Sequence, residues 1–417
     1  MNEALSTATS APAVKPGADT LLTDQRTEYY PPITLVVLAG GWGESEPEQM
    51  LARACKAAIL DLLELAFASP FVERAVLGVD DPAFAEQVGA LFPRQVAVEL
   101  TERPFYFGRT LLDVLQRHEI ERPLYFGAGS GALLTAQELD EACRALVQSE
   151  FAVVTNNLYS CDFLGWVPAQ ALTQIELPEH RDNNLAWLLR RQAGLPVTVL
   201  PRSPGTMLDL DTPTDLMVLA LHPQARRHVL AALGEMDLDT SRLRATFDVV
   251  TDPMCDILVA GRVNSYVWQH LETDVAARVR VLSEERGMEA SGRHERGEVR
   301  SLLGYHLEAV GPERLFEELA TLCQAAFIDS RVLFHHLRLH VSPADRFYSD
   351  LGRPDLIADP YVARFTRAAL EAPIPVILGG HSLVTGGLWA LVDAAWQERD
   401  ARLGRFQYAS GPAGTPA

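Results

Sequence analysis

The chain has 417 residues, 48% hydrophobic and 22% charged. That is the balance of a globular protein too long for one ordinary core, so two domains are expected. A formal charge of -19 opposes nucleic acid and anionic membrane as partners. Cys55, Cys143, Cys161, Cys255 and Cys323 are scattered and lack CxxC spacing, which argues against a disulfide framework or a cysteine zinc site and for a cytoplasmic protein.

Residues 1–30, rich in Ala, Ser, Thr and Pro, read as a disordered tail with no apolar stretch of signal-peptide length. No later segment has the uninterrupted apolar length of a membrane span. "ITLVVLA" (33–39) then reads as a buried strand, followed by the glycines of "GGWGESEPEQ" (40–49). Ser45, Pro47 and Glu48 form a capping box with proline near the start. Leu51, Cys55, Ile59, Leu62 and Ala66 lie on one helical stripe. A glycine turn between a buried strand and a helix is where open α/β sheets bind ligands, with backbone amides and the helix N-terminus facing a phosphate.

Lys15 and Lys56 are the two lysines among 36 basic residues. Lys56 is therefore an exception to an arginine habit, and a point charge is not equivalent to a planar fork at a phosphate. A helix running unbroken from Glu46 carries Lys56 about 15 Å along its axis, whereas a single turn followed by a loop lets it fold back. The ordinary alternative is a surface lysine.

Strands follow at 74–79, 95–100, 123–128, 151–156 and 196–201, with helical stretches such as 135–149 between them. This alternation predicts an α/β fold, a mainly parallel sheet with helices on both faces. In "GTMLDLDTPTDL" (205–216), Thr212, Pro213 and Asp215 are accounted for by a second capping box. Asp209 and Asp211 are not. They alternate with Leu208 and Leu210, so both carboxylates face one side of an extended segment. A divalent cation between them offsets their repulsion; solvation is the plain alternative.

Over residues 33–222 the chain resembles the MobA-like NTP transferases, nucleotidyltransferases of GT-A-type fold. The matching pieces are "VVLAGG", Lys56 downstream, "LLTAQEL" (133–139) and "LDLDTPTDL" (208–216). The resemblance implies that an NTP lies on Leu38, Ala39, Gly40, Gly41 and Gly43, with Lys56 on the triphosphate. It also implies that Mg²⁺ sits near Asp209 and Asp211, and that a small phosphorylated acceptor attacks the α-phosphate and releases pyrophosphate. The chain departs from the family twice. The arginine of "GGxxxRxG" is missing, with Arg53 the nearest basic residue, and Ser130 stands where the family carries an aspartate. "TNNLYSCDFLGW" (155–166) supplies Asn156, Asn157 and Asp162 as acceptor contacts, and Arg181, Asp182 and Asn183 are similar candidates. Turn and cap chemistry is the better account of each of these taken singly.

The predicted layout is a tail (1–30), a nucleotidyltransferase-like domain (31–223), a helical connector (224–250), a second α/β domain of unknown role (251–405) and a tail (406–417). Strands in the second unit are expected at 255–262, 277–285, 325–334 and 374–382, and the polar stretch 287–301 reads as a mobile loop. "GGHSLVTGG" (379–387) is similar to a nucleophile elbow but lacks its second glycine, and no histidine follows His381. A turn, or an anion-binding nest of Gly379, Gly380 and Ser382, fits better. His336 and His340 have the spacing of a helical metal pair without the glutamate of HExxH. Two readings follow: an Mg²⁺-dependent nucleotidyltransferase, or a degenerate, non-catalytic nucleotide-binding or scaffold protein.

Overall fold

The computed structural model describes residues 31–101, 104–179 and 184–404. The tails and Arg181, Asp182 and Asn183 lie outside these residues.

Eleven strands form two sheets among the described residues. The first contains β1 (Ile33–Ala39), β2 (Val72–Val79), β3 (Val96–Leu100), β4 (Pro123–Gly127), β5 (Ala152–Thr155), β6 (Phe163–Val167) and β7 (Val197–Val199). Its order is β3-β2-β1-β4-β6-β5-β7. Only β6 runs antiparallel to its neighbours. The second sheet contains β8 (Asp256–Gly261), β9 (Arg278–Ser283), β10 (Ala325–Asp329) and β11 (Val376–Gly379), all parallel, in the order β11-β10-β8-β9. Both sheets are flanked by helices, as the alternating apolar pattern predicts.

Every residue of β1 is buried, as expected of a strand covered on both faces. The helix Glu46–Ala68 starts at the predicted capping box and runs unbroken. Its predicted stripe is buried, but so are Met50, Ala52, Ala54, Ala57 and Leu60, because the helices Arg227–Gly234 and Pro343–Asp350 pack on it besides the first sheet. One continuous apolar core joins Leu51, Ala54 and Ala58 of this helix to Leu216 and Val218, and then to Ile257, Phe327, Leu383 and Leu388 of the second half. Closeness at this seam is backbone-tight: a Cβ on Gly386 would stand 1.7 Å from the Met207 carbonyl oxygen.

Three features differ from expectation. Strand β6 lies inside the segment read as an acceptor loop, where Phe163 stacks on Phe126 with centroids 4.6 Å apart. The apolar run 325–334 is a strand only to Asp329 and continues as a helix over Ser330–His336. His340 therefore lies beyond the helix that carries His336, and the metal-pair spacing does not apply. The loop 287–301 is pinned by Met288 and Val299, which are fully buried against Val332.

Candidate active site

In the first sheet the chain leaves β1 for β2 on one side, and β4 lies on the other. This is a topological switch point, and the crevice beyond the carboxyl ends of β1 and β4 is the expected ligand position. A cavity of about 270 Å³ is found there. Trp42 from the glycine loop, Gly127 at the end of β4 with Ala128 and Gly129 after it, and the carboxylate residues Asp162, Asp209 and Asp211 line it. The glycine loop and the two predicted aspartates thus meet at one edge of the sheet.

Local structure explains how the acids arrive. A bridge between Ser130 and Asp209 holds the extended Asp-Leu-Asp segment against the turn after β4. Gly129 is needed there, because a Cβ would lie 2.7 Å from an Asp209 carboxylate oxygen. Leu208 and Leu210 are buried, and Leu210 lines the cavity together with Asp209 and Asp211. Asp162 stands just before β6. Its Oδ2 accepts from the Asn156 amide at 2.7 Å, and its own backbone N–H donates to Asn156 Oδ1 at 3.1 Å. Cys55 lies in the cavity wall. Burial first, and then the charges of Asp209 and Asp211, push its thiol pKa up.

The other predicted residues sit around this centre. Leu38 and Ala39 are buried in β1. Gly40 and Gly41 have φ of 156° and 73°, and the Gly41 N–H donates to the Asp80 carboxylate at 2.9 Å. Gly43 packs on Glu48, the capping-box acid. Lys56, on the unbroken helix, pairs with Asp81, and its Nζ lies 5.0 Å from the Trp42 ring centroid. It is one side chain removed from the cavity, and the fold-back geometry does not occur. Arg53 is exposed. Ser130 is buried, and its hydroxyl faces the carbonyls of Gly127 and Asp162 at 2.9 and 3.1 Å. Asn156 is buried, its amide donating to Asp162 and to the Thr206 carbonyl. Asn157 closes a local turn on the Tyr159 N–H.

At the β11 loop the predicted nest already meets an internal anion. Ser382 Oγ donates to Asp215 Oδ2 at 2.6 Å, and that oxygen also accepts from the Thr212 hydroxyl and from the backbone N–H groups of Asp211 and Thr212. Gly379 and Gly380 pack against Thr214 and Thr212. Asp215 is fully buried, and desolvation raises its pKa to about 7. Asp61, Glu64 and His228 also cluster within metal-binding distance. Both Asp61 oxygens, however, accept backbone N–H groups from His228 and Val229, which makes Asp61 a cap for the helix Arg227–Gly234.

Trp42 and Cys55 are cavity residues that the sequence pattern does not single out, although Trp42 sits inside the glycine motif itself. Asp162 is legible in the sequence only as an acceptor contact, and nothing local to it brings it beside Asp209.

Among the described residues no helix is long and apolar enough to cross a membrane. No profile of a known protein family matches the chain, and no curated protein matches it. Solved structures similar to part of it include a cytidylyltransferase from Leptospira borgpetersenii, at 13% identity, 50% of this chain, 98% of that chain and a TM-score of 0.36. A nucleotidyl transferase from Methanothermobacter aligns at 14% identity over 48% of this chain and 98% of its own, with a TM-score of 0.35. A 4-diphosphocytidyl-2C-methyl-D-erythritol synthase from Anaerococcus prevotii aligns at 12% identity over 49% and 95%, with a TM-score of 0.32. At such values the likeness says nothing about activity, and function is read from the cavity itself.

Proposed function

We propose that the cavity at β1 and β4 binds a Mg²⁺–NTP complex and transfers its nucleotidyl group to a small phosphorylated acceptor. The observation that carries this reading is the convergence of Asp162, Asp209 and Asp211 beside Trp42 at the switch point. Carboxylate oxygens are the hard donors that Mg²⁺ takes, and three carboxylates on one cavity favour a cation there. Asp209 and Asp211 would hold the ion, and Asp162 supplies the carboxylate that Ser130 does not. When bound, the ion supplies charge neutralisation for the triphosphate.

The remaining chemistry falls to the chain. Asn156 orients Asp162. Trp42 offers a face for the base, and Gly41 offers backbone approach once its N–H leaves Asp80. Lys56, paired with Asp81 behind Trp42, comes to the phosphates only on leaving that pair. An acceptor phosphate oxygen attacks the α-phosphorus, the α–β bridging P–O bond breaks, and pyrophosphate leaves with that oxygen. Catalysis of this kind rests on positioning and charge stabilisation.

A degenerate, non-catalytic protein is the second reading. Two contacts favour it: the Gly41 amide already held by Asp80, and the Ser130 hydroxyl turned inward. Thermal shift with each NTP, with and without Mg²⁺, followed by pyrophosphate release over a panel of phosphorylated acceptors, separates the two. A Mg²⁺-dependent shift that Asp209→Asn and Asp211→Asn abolish, together with pyrophosphate release, supports transfer. Binding without release supports the second reading, and no shift with any nucleotide removes both.

A further inference from the structure

The second sheet has its own switch point. From β8 the chain passes to β9 on one side, and β10 lies on the other. The carboxyl ends of these two strands carry Gly261 followed by Arg262, and Asp329 followed by Ser330 and Arg331. Open parallel sheets place ligands at this position.

The charges gathered there are buried to an unusual degree. Asp329 is wholly inaccessible, and Arg262 and Arg331 are nearly so. The Nε and one terminal nitrogen of Arg262 bind the two Asp329 oxygens at 2.6 and 3.2 Å. Arg331 forks onto Asp350. These two pairs neutralise each other and hold their guanidinium planes fixed. Burial alone would raise the Asp329 pKa, but Arg262 overrides it and holds the carboxyl below its ordinary range.

Beyond these pairs positive charge is in excess. Arg346 lies among Arg331, Asp350, Glu289 and Arg262, and its Nε is buried with no hydrogen-bond partner among the described residues. Arg286 joins the same group, and His381 lies beside it uncharged near neutrality, because burial followed by Arg262 lowers its pKa to about 4. His335 faces Arg346 and Arg262 as well, its ring edge-on to His294 at 5.5 Å. Besides Asp350, the acid reaching this group is Glu289, whose Oε1 accepts from the remaining Arg262 nitrogen at 2.7 Å. Glu289 does not belong to the sheet. It is carried by the 285–300 loop next to the buried anchor Met288, and its own side chain is half exposed.

We propose that Arg262, Arg346 and His381 form a binding site for the phosphoryl group of a small molecule, and that Glu289 occupies that site until the ligand displaces it. Glu289 joins a buried guanidinium through a half-exposed side chain, a contact that an incoming anion can replace. An incoming phosphoryl group satisfies the Arg346 Nε and takes over the Arg262 nitrogen from Glu289. This site is separate from the cavity of the first sheet and does not depend on the function proposed for it.

The test is calorimetric titration of the full chain with inorganic phosphate at low salt. Glu289→Gln removes the internal competitor and is expected to tighten phosphate binding about tenfold. Arg346→Gln is expected to weaken it about tenfold or more, with the thermal midpoint little changed because its Nε holds no acceptor. Phosphate bound at the first sheet responds to neither substitution. The proposal is overturned if the two variants match the unaltered protein, if Glu289→Gln weakens binding, or if Glu289→Gln shows no phosphate binding at all. Malonate binding more tightly than phosphate to Glu289→Gln overturns the phosphoryl assignment.

Discussion

Replacing Asp215 by Asn tests the seam between the two sheets. The carboxyl is fully buried; one oxygen takes four hydrogen bonds and the other has none among the described residues. Desolvation outweighs those bonds and raises its pKa from the ordinary 3.8 to about 7. The folded protein therefore binds this proton more tightly than the unfolded chain does. The contribution is fully present below the unfolded value and is lost as pH rises through the folded one. Between about pH 5 and about pH 8 the loss is about 2.5 kcal/mol, because stability falls by about 1.4 kcal/mol for each pH step over which only the folded state keeps the proton. Asn keeps an oxygen for the four donors and cannot titrate, so any fixed cost of the substitution is the same at every pH. Urea denaturation of both proteins across that range is the assay. The unaltered chain should lose about 2.5 kcal/mol more than the variant on going from acid to base. Parallel profiles would mean that the carboxyl is hydrated or already ionised, and the packing argument at this seam would fail.

Gly386→Ala places a Cβ where the Met207 carbonyl oxygen stands and should cost about 3 kcal/mol or more, read as a fall in soluble yield and thermal midpoint. Asp61→Asn should cost about 1 kcal/mol through loss of an anionic helix cap and leave metal content unchanged by elemental analysis; loss of a bound metal would instead make the Asp61 cluster a site. Lys56→Met should weaken Mg²⁺–NTP binding about tenfold while costing under about 1 kcal/mol of stability. Unchanged nucleotide affinity would confine the lysine to its pair with Asp81.

What the sequence discloses, and what it withholds, follows from range. The capping boxes at Ser45–Glu48 and Thr212–Asp215 span four residues each and are readable directly. So is the face shared by Asp209 and Asp211, a matter of strand period. Strand β6 is hidden because its five residues follow a stretch of Asn, Ser, Cys and Asp, where turn chemistry dominates any short window. Without β6, Asp162 has no visible reason to stand beside Gly127. The run 325–334 misleads because an apolar stretch does not distinguish a strand from a buried helix. The group at Arg262 needs Glu289 and Arg346, which arrive from segments with no shared spacing.

The Asp215 carboxylate binds Asp211 of one sheet's margin and Ser382 of the other's through a single oxygen, and Thr214 reaches the Leu378 carbonyl beside it at 2.7 Å. A break in the gene near codon 223 would divorce the cavity-lining segment Asp209–Asp211 from the loop that braces it and strip the apolar side of the helix Pro213–Leu221 bare. Neither half can be shuffled onto a new neighbour without remaking this joint.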